Sequence, residues 1–157
     1  RNPTDRGKIG TERSLLTEGG GLPIGCVVDG ANRNDFKLAR ETLDNTVVDI
    51  PVASAHQPVG ICLDKGYDYQ EVRDLVIELG ITLHLRTRGE EALALKNELG
   101  FKARRWVVER AHSWMNRFRR ILVRWEKRAD TYIAMLHLAC GIITWRAVRQ
   151  ARQALPT

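Results

Sequence analysis

The chain has 157 residues, 43% of them apolar and 28% charged, with a formal net charge of +6. That is one domain or part of one, with enough apolar material for a real core, which excludes a disordered tail. No apolar run reads as a membrane span, no signal-peptide pattern is present, and neither the three scattered cysteines (Cys26, Cys62, Cys140) nor the four histidines (His56, His84, His112, His137) have disulfide or metal-ligand spacing.

Residues 1–11 read as a polar loop. A short strand over 12–17 and a returning strand over 22–29, separated by Gly19-Gly20-Gly21, predict a hairpin. Asp35 is placed to cap a helix running to about residue 43. Residues 45–55 are irregular, and Pro51 and Pro58 interrupt regular structure there. Gly60-Ile61-Cys62-Leu63 lacks alternation, which predicts a strand covered on both faces, ending at Asp64. Lys65-Gly66-Tyr67-Asp68 is a turn. A helix follows over 69–79, with Val72, Leu75, Val76 and Leu79 inward and Gly80 closing it. Another short strand covers 81–85 and a weakly helical run covers 91–99. A long helix is expected over 104–125, and a last one over about 131–152, capped by Asp130. This order predicts an α/β fold: a mixed sheet with helices on its faces.

Charge divides the chain. From residue 101 onward there are 13 Lys and Arg against 3 Asp and Glu, net +10; the first 100 residues hold 12 against 16, net −4. A basic C-terminal third suggests a polyanionic partner, or else a solvated basic face with none. Within that third, Val108, Ala111, Met115, Phe118, Leu122 and Trp125 recur at helical spacing, and Glu109, His112, Ser113, Asn116 and Arg120 form a second, polar stripe. Glu109 is a lone acid in an arginine-rich run. It either pairs with Arg105 one turn earlier or faces a bound cation while the arginines hold a polyanion. Asp64 has two readings as well. Carboxylates beyond strand ends are favoured ligand positions in α/β sheets, yet a strand-end Asp also bonds its own turn. Asp68 and Asp35 are weaker candidates, on a turn and at a helix cap. If Asp64 and Glu109 converge, hard oxygen ligands of this kind suit a two-metal site for Mg²⁺ or Mn²⁺ acting on phosphodiesters.

Leu63-Asp64-Lys65-Gly66-Tyr67-Asp68, Arg105-Trp106-Val107-Val108-Glu109-Arg110, Ser113 to Arg120 and Arg124-Trp125-Glu126-Lys127 together resemble DDE-type bacterial insertion-sequence transposases of the insertion-sequence-five group. The opening Asn2-Pro3-Thr4-Asp5-Arg6-Gly7-Lys8 and the segment from Gly30 to Asp35 are similar to that family too, so the resemblance covers nearly the whole chain. It implies a ribonuclease-H-like core that cuts and rejoins double-stranded DNA, at insertion-sequence ends and at target, with two metal ions. By position, Asp64 matches the second catalytic aspartate, Glu109 the catalytic glutamate, and Arg105 the arginine of the family's Tyr-Arg-Glu-Lys signature. The Tyr place of that signature falls at Lys102 and the Lys place at Asn116, both departures. Glu126 is a rival to Glu109 but lacks an arginine four positions before it, where Leu122 stands.

The family's first catalytic aspartate precedes the Asn-Pro-Thr-Asp-Arg-Gly-Lys loop, at which this chain begins. The resemblance therefore implies that residues 1–157 are a partial, downstream catalytic domain without its first core strand, with 101–157 as a basic helical C-terminal part. Arg105, Arg110, Arg117, Arg119, Arg120 and Arg124 are the expected DNA contacts. A homo-oligomer in the synaptic complex, no membrane association, and a bacterial cytoplasmic, nucleoid-associated location are expected. The alternative is a non-catalytic DNA-binding or regulatory fragment.

Overall fold

The computed structural model describes residues 10–85, 88–97 and 105–154. Strand β1 (Thr11–Thr17) pairs antiparallel with β2 (Pro23–Gly30). Their connection is built locally. The Glu18 carboxylate accepts the backbone N–H groups of Gly20 and Leu22 at 2.7 and 2.8 Å, and Gly21 takes φ 92°, where a Cβ would be strained. A 3-10 turn (Asp35–Leu38) runs into helix α1 (Ala39–Asp44). The expected cap shifts by one residue: Asn34 holds the N-cap position without a side-chain bond, and the Asp35 side chain is outside the described residues.

Strand β3 (Gly60–Leu63) is followed by a 3-10 turn (Lys65–Tyr67) and helix α2 (Gln70–Glu78). Val72, Leu75 and Val76 of α2 are buried as the spacing predicts, but Leu79 is exposed as the C-cap residue, and Gly80 turns the chain at φ 66°. Strand β4 (Thr82–Leu85) then pairs parallel to β3. Helix α3 (Arg88–Asn97), α4 (Arg105–Asn116), the single turn α5 (Arg119–Leu122) and α6 (Ala129–Gln153) complete the described chain.

The α/β class stands, but the sheet is divided. Among the described residues the strands form two two-stranded sheets, β1–β2 and β3–β4, rather than one mixed sheet. The β3 residues are exposed at Gly60 and only half-buried from Ile61 to Leu63, so cover on both faces is not realised. No solved structure matches the chain.

The long helix expected over 104–125 is broken after Asn116. Phe118 adopts an extended conformation (φ −86°, ψ 105°), and α5 begins beyond it. The break lets the apolar residues turn inward: Met115 and Ile121 are fully buried with Tyr132, Leu136, Ala139 and Ile143 of α6. Leu122 and Trp125, which a straight helix would put on the same face, stay exposed, and Val107 rather than Val108 is the buried residue of the first turn. The Tyr132 hydroxyl donates to the Ile121 carbonyl at 3.3 Å, tying α6 to α5. Arg128, not Asp130, is the α6 N-cap; Asp130 is the second residue of the first turn and accepts the Thr131 N–H at 2.8 Å. An acid there suits the positive end of the helix.

Two core clusters result. The first joins Ala39 and Leu43 of α1, Val72, Leu75 and Val76 of α2, and Ile81, with Leu16, Ile61 and Leu63 against it. The second joins α4, α5 and α6, with Leu15, Cys26 and Val28 of the hairpin against it. Successive residues Leu15 and Leu16 thus belong to different clusters, because side chains alternate across a strand. Helix α6 is, against the sequence expectation, long and apolar enough by length and composition to cross a bilayer. Its Tyr132, Leu136, Ala139 and Ile143 are core residues of this fold.

Candidate active site

A cleft of about 720 Å³ runs between β1 and β3, lined also by α4 and by the segment around Asp49–Ile50. Asp64 and Glu109, 45 positions apart in sequence, both line it. Asp64 reaches it because β3 ends there and the 3-10 turn begins. Its Oδ1 accepts the Gly66 N–H at 2.8 Å, so the turn-forming role is real. That bond uses one oxygen and fixes the carboxyl group. Glu109 is exposed on α4, two residues beyond the buried Val107.

The anchoring of α4 explains where Glu109 stands. Arg110 is sandwiched between two indoles of its own helix, its guanidinium carbon 4.4 Å from the Trp106 ring centre and 4.8 Å from that of Trp114. It donates to the Gly20 carbonyl in the β1–β2 turn. Gly21 makes room for this: a Cβ there would lie 2.8 Å from Arg110 Nη2 and 3.3 Å from Val107 Cγ1. The turn and the first half of α4 are therefore pinned to each other immediately beside Glu109.

Two further residues line the cleft that sequence reasoning did not single out as functional. Arg13 of β1 donates from Nη2 to Asn116 Oδ1 at 3.0 Å, while its Nη1 is buried without a hydrogen-bond partner. His112 stands one turn after Glu109 and is half-buried; burial first, and the Arg13 charge second, push its pKa below the ordinary 6.5. No motif would have found Arg13, since a single arginine on a strand carries no pattern. Asn116, at the signature's Lys place, is half-buried and occupied by Arg13. Lys102, at its Tyr place, and the Asn2–Lys8 loop lie outside the described residues.

The remaining candidates are dispersed. Arg117 and Arg119 are exposed. Arg120 pairs through Nε with Glu126 at 3.1 Å, and Glu126, whose side chain is 5% exposed, is not among the residues lining the cleft. Arg124 donates to Thr11 Oγ1 at 2.6 Å and to the Glu126 carbonyl at 3.0 Å, and lies over the Tyr132 ring. The Arg105 side chain is outside the described residues. Asp68, a weaker candidate on the turn, is half-buried and ion-paired with Arg73.

The cleft carries Glu12, Glu18, Asp49, Asp64 and Glu109 against Arg13, so its charge favours cations. Among the described residues no group of three or more His, Cys, Asp or Glu comes together as a metal site. Two carboxylates lining one cleft, one of them pre-oriented by its turn, are nevertheless hard oxygen donors of the kind Mg²⁺ and Mn²⁺ take.

The α/β frame thus brings an aspartate from a strand end and a glutamate from a basic helix to line one cleft. Residues 61–146 match the family model of the transposase DDE domain, and the chain belongs to that family. It is 34% identical over 157 residues to a Burkholderia cepacia protein assigned as the transposase for insertion sequence element IS402, a match spanning 98% of this chain and 72% of that relative. The family works on DNA and generally uses divalent metal ions.

Proposed function

We propose that the cleft between β1 and β3 is the catalytic site of an insertion-sequence transposase, with Asp64 and Glu109 as metal ligands of a ribonuclease-H-like core. The observation that carries this is the convergence of those two carboxylates, from distant parts of the sequence, on one acidic cleft. The reaction is phosphoryl transfer. A water oxygen attacks phosphorus and the 3′ oxygen leaves as a hydroxyl; that 3′ hydroxyl then attacks a target phosphodiester, forming a new P–O bond as the bond to the target strand's own 3′ oxygen breaks and that oxygen takes up a proton. When bound, Mg²⁺ or Mn²⁺ supplies Lewis-acid stabilisation of the developing charge and lowers the pKa of the attacking water.

The chain's own residues do the positioning. The Gly66 N–H holds the Asp64 carboxyl in one orientation. The Arg110 stack and Val107 fix α4 and with it Glu109. His112, kept neutral, makes no competing ion pair with the carboxylates. Arg117 and Arg119, exposed beyond the end of α4, suit phosphate contacts along the duplex. Residues 1–157 are read as part of the catalytic domain, with 101–157 its basic arm. The active form is a homo-oligomer holding two DNA ends in the cytoplasm.

In a protein extended to the length of the relative, Asp64→Asn and Glu109→Gln each reduce Mg²⁺-dependent cleavage of insertion-sequence ends at least about a hundredfold, with DNA affinity retained. Mn²⁺ added to the 157-residue chain broadens amide resonances near Asp64 and Glu109. Cleavage that survives either substitution, or broadening confined elsewhere, overturns the assignment. Affinity that falls steeply with salt in an extended protein that never cleaves selects the DNA-binding fragment instead.

A further inference from the structure

Three of the four tryptophans have an arginine over the ring: Arg110 covers both Trp106 and Trp114, and Arg149 covers Trp145. Among the described residues no cation covers Trp125, which is 74% exposed in the connection between α5 and α6. Leu122 and Val123, just before it, are more than half exposed as well. Core packing does not account for this run. Adjacent exposed apolar side chains rimmed by polar ones mark a surface that meets another molecule.

Trp125 is exposed without standing on a free segment. Arg124 Nε donates to the Glu126 carbonyl at 3.0 Å, a bridge that closes around residue 125. Arg124 also donates to Thr11 Oγ1 at 2.6 Å and lies over the Tyr132 ring. On the other side the Glu126 side chain, almost fully buried, pairs with Arg120. Both neighbours are anchored while the indole stays in solvent. A ring presented from a fixed backbone loses little freedom when it is covered. Thr11 opens β1, and the next two residues, Glu12 and Arg13, line the cleft, so the anchor sits at one end of that strand.

Charge selects the occupant. Residues 117–128 hold six Lys and Arg against one Glu, and Arg117, Arg119 and Lys127 are exposed along with Trp125. An apolar protein face would have to strip water from those cations to reach the indole. A nucleic acid meets both at once, with phosphates on the cations and a base face on the ring. In a paired duplex each base face is already stacked on its neighbours, so the ring needs a base that is unpaired. We propose that Trp125 is a stacking platform for an unpaired nucleotide, with the exposed cations around it on the adjoining phosphates. The inference rests on the family's work on DNA and not on the assignment of Asp64 and Glu109.

The test uses the whole 157-residue chain, without metal, and two DNA duplexes, one fully paired and one carrying a single unpaired 2-aminopurine. Affinity is read by fluorescence anisotropy of an end label and stacking by 2-aminopurine emission. The parent should bind the interrupted duplex at least about fivefold more tightly than the paired one. Trp125→Ala should bind both alike, with its salt slope and melting temperature unchanged, and should leave the 2-aminopurine brighter than the parent does. Trp125→Phe should keep most of the preference. Equal affinity of the parent for the two duplexes overturns the inference, as does a loss in Trp125→Ala that is the same on both. A parent dimer in sedimentation that Trp125→Ala dissociates gives the indole to a second copy and overturns it too. So does binding to phosphatidylglycerol vesicles that Trp125→Ala abolishes while the DNA preference survives. A parent that binds no DNA defeats the inference and the DNA-binding reading together, whereas binding without preference defeats the inference alone and leaves Asp64 and Glu109 untouched.

Discussion

At the level of single residues, Arg110 separates a charge from its expected use. Its place in an arginine-rich helix suggests a phosphate contact, but its guanidinium lies between two indoles and reaches the hairpin turn. Arg110→Met should therefore lower the melting temperature while leaving the salt dependence of DNA binding unchanged. Arg110→Lys should not restore stability, because an ammonium cannot stack on two rings as a planar guanidinium does. Gly21→Ala should destabilise by at least about 1 kcal/mol, through the left-handed φ, and add a clash with Arg110.

His112 gives a pH signature. Its folded pKa lies below 6.5, so the unfolded chain takes up the proton first. The stability it confers is complete above about pH 6.5 and drains as the pH falls through that value towards the depressed one. Denaturant melts between pH 5 and 7.5 check this, with the slope shallower in His112→Gln. At the alkaline end Cys26, its thiol pushed up to about 12 chiefly by burial, should stay unalkylated at pH 8.5 in the folded chain.

At the level of elements, the strands, α2 and α6 were legible because their apolar spacing and flanking turn residues agree. The hairpin could be read from its glycines, though not the Glu18 carboxylate that closes it. The extent of α4 was not legible. Residues 105–125 keep a helical period throughout, and only tertiary packing decides that the chain breaks at Phe118 to carry Ile121 under α6. Substitution makes that distinction measurable. Leu136→Ala, at a position with no exposure, should cost about 2–5 kcal/mol. Trp125→Ala, at 74% exposure, should stay within about 0.5 kcal/mol of the parent. Chemical denaturation of the two variants side by side reads the difference.

At the level of the molecule, the sequence already showed the charge asymmetry and the two acids. That both line one cleft agrees with the expectation drawn from chemistry and family resemblance, whereas Arg13 and the divided sheet carried no sequence signal. The net charge of +10 beyond residue 100 predicts DNA binding whose affinity falls log-linearly with salt. Replacing Arg117 or Arg119 should reduce that slope by about one each, uniformly across DNA sequences. The same substitution at Arg120, tied to the buried Glu126, should also lower stability.

Division of the strands, among the described residues, into two two-stranded sheets has a consequence for dosage. Edges of this kind template one another between molecules. Crowded copies of the chain are then expected to stack into insoluble, dye-binding ribbons, whereas sparse copies stay dispersed. Turbidity and thioflavin emission, followed across a concentration series, would reveal a threshold above which extra synthesis yields no more usable protein.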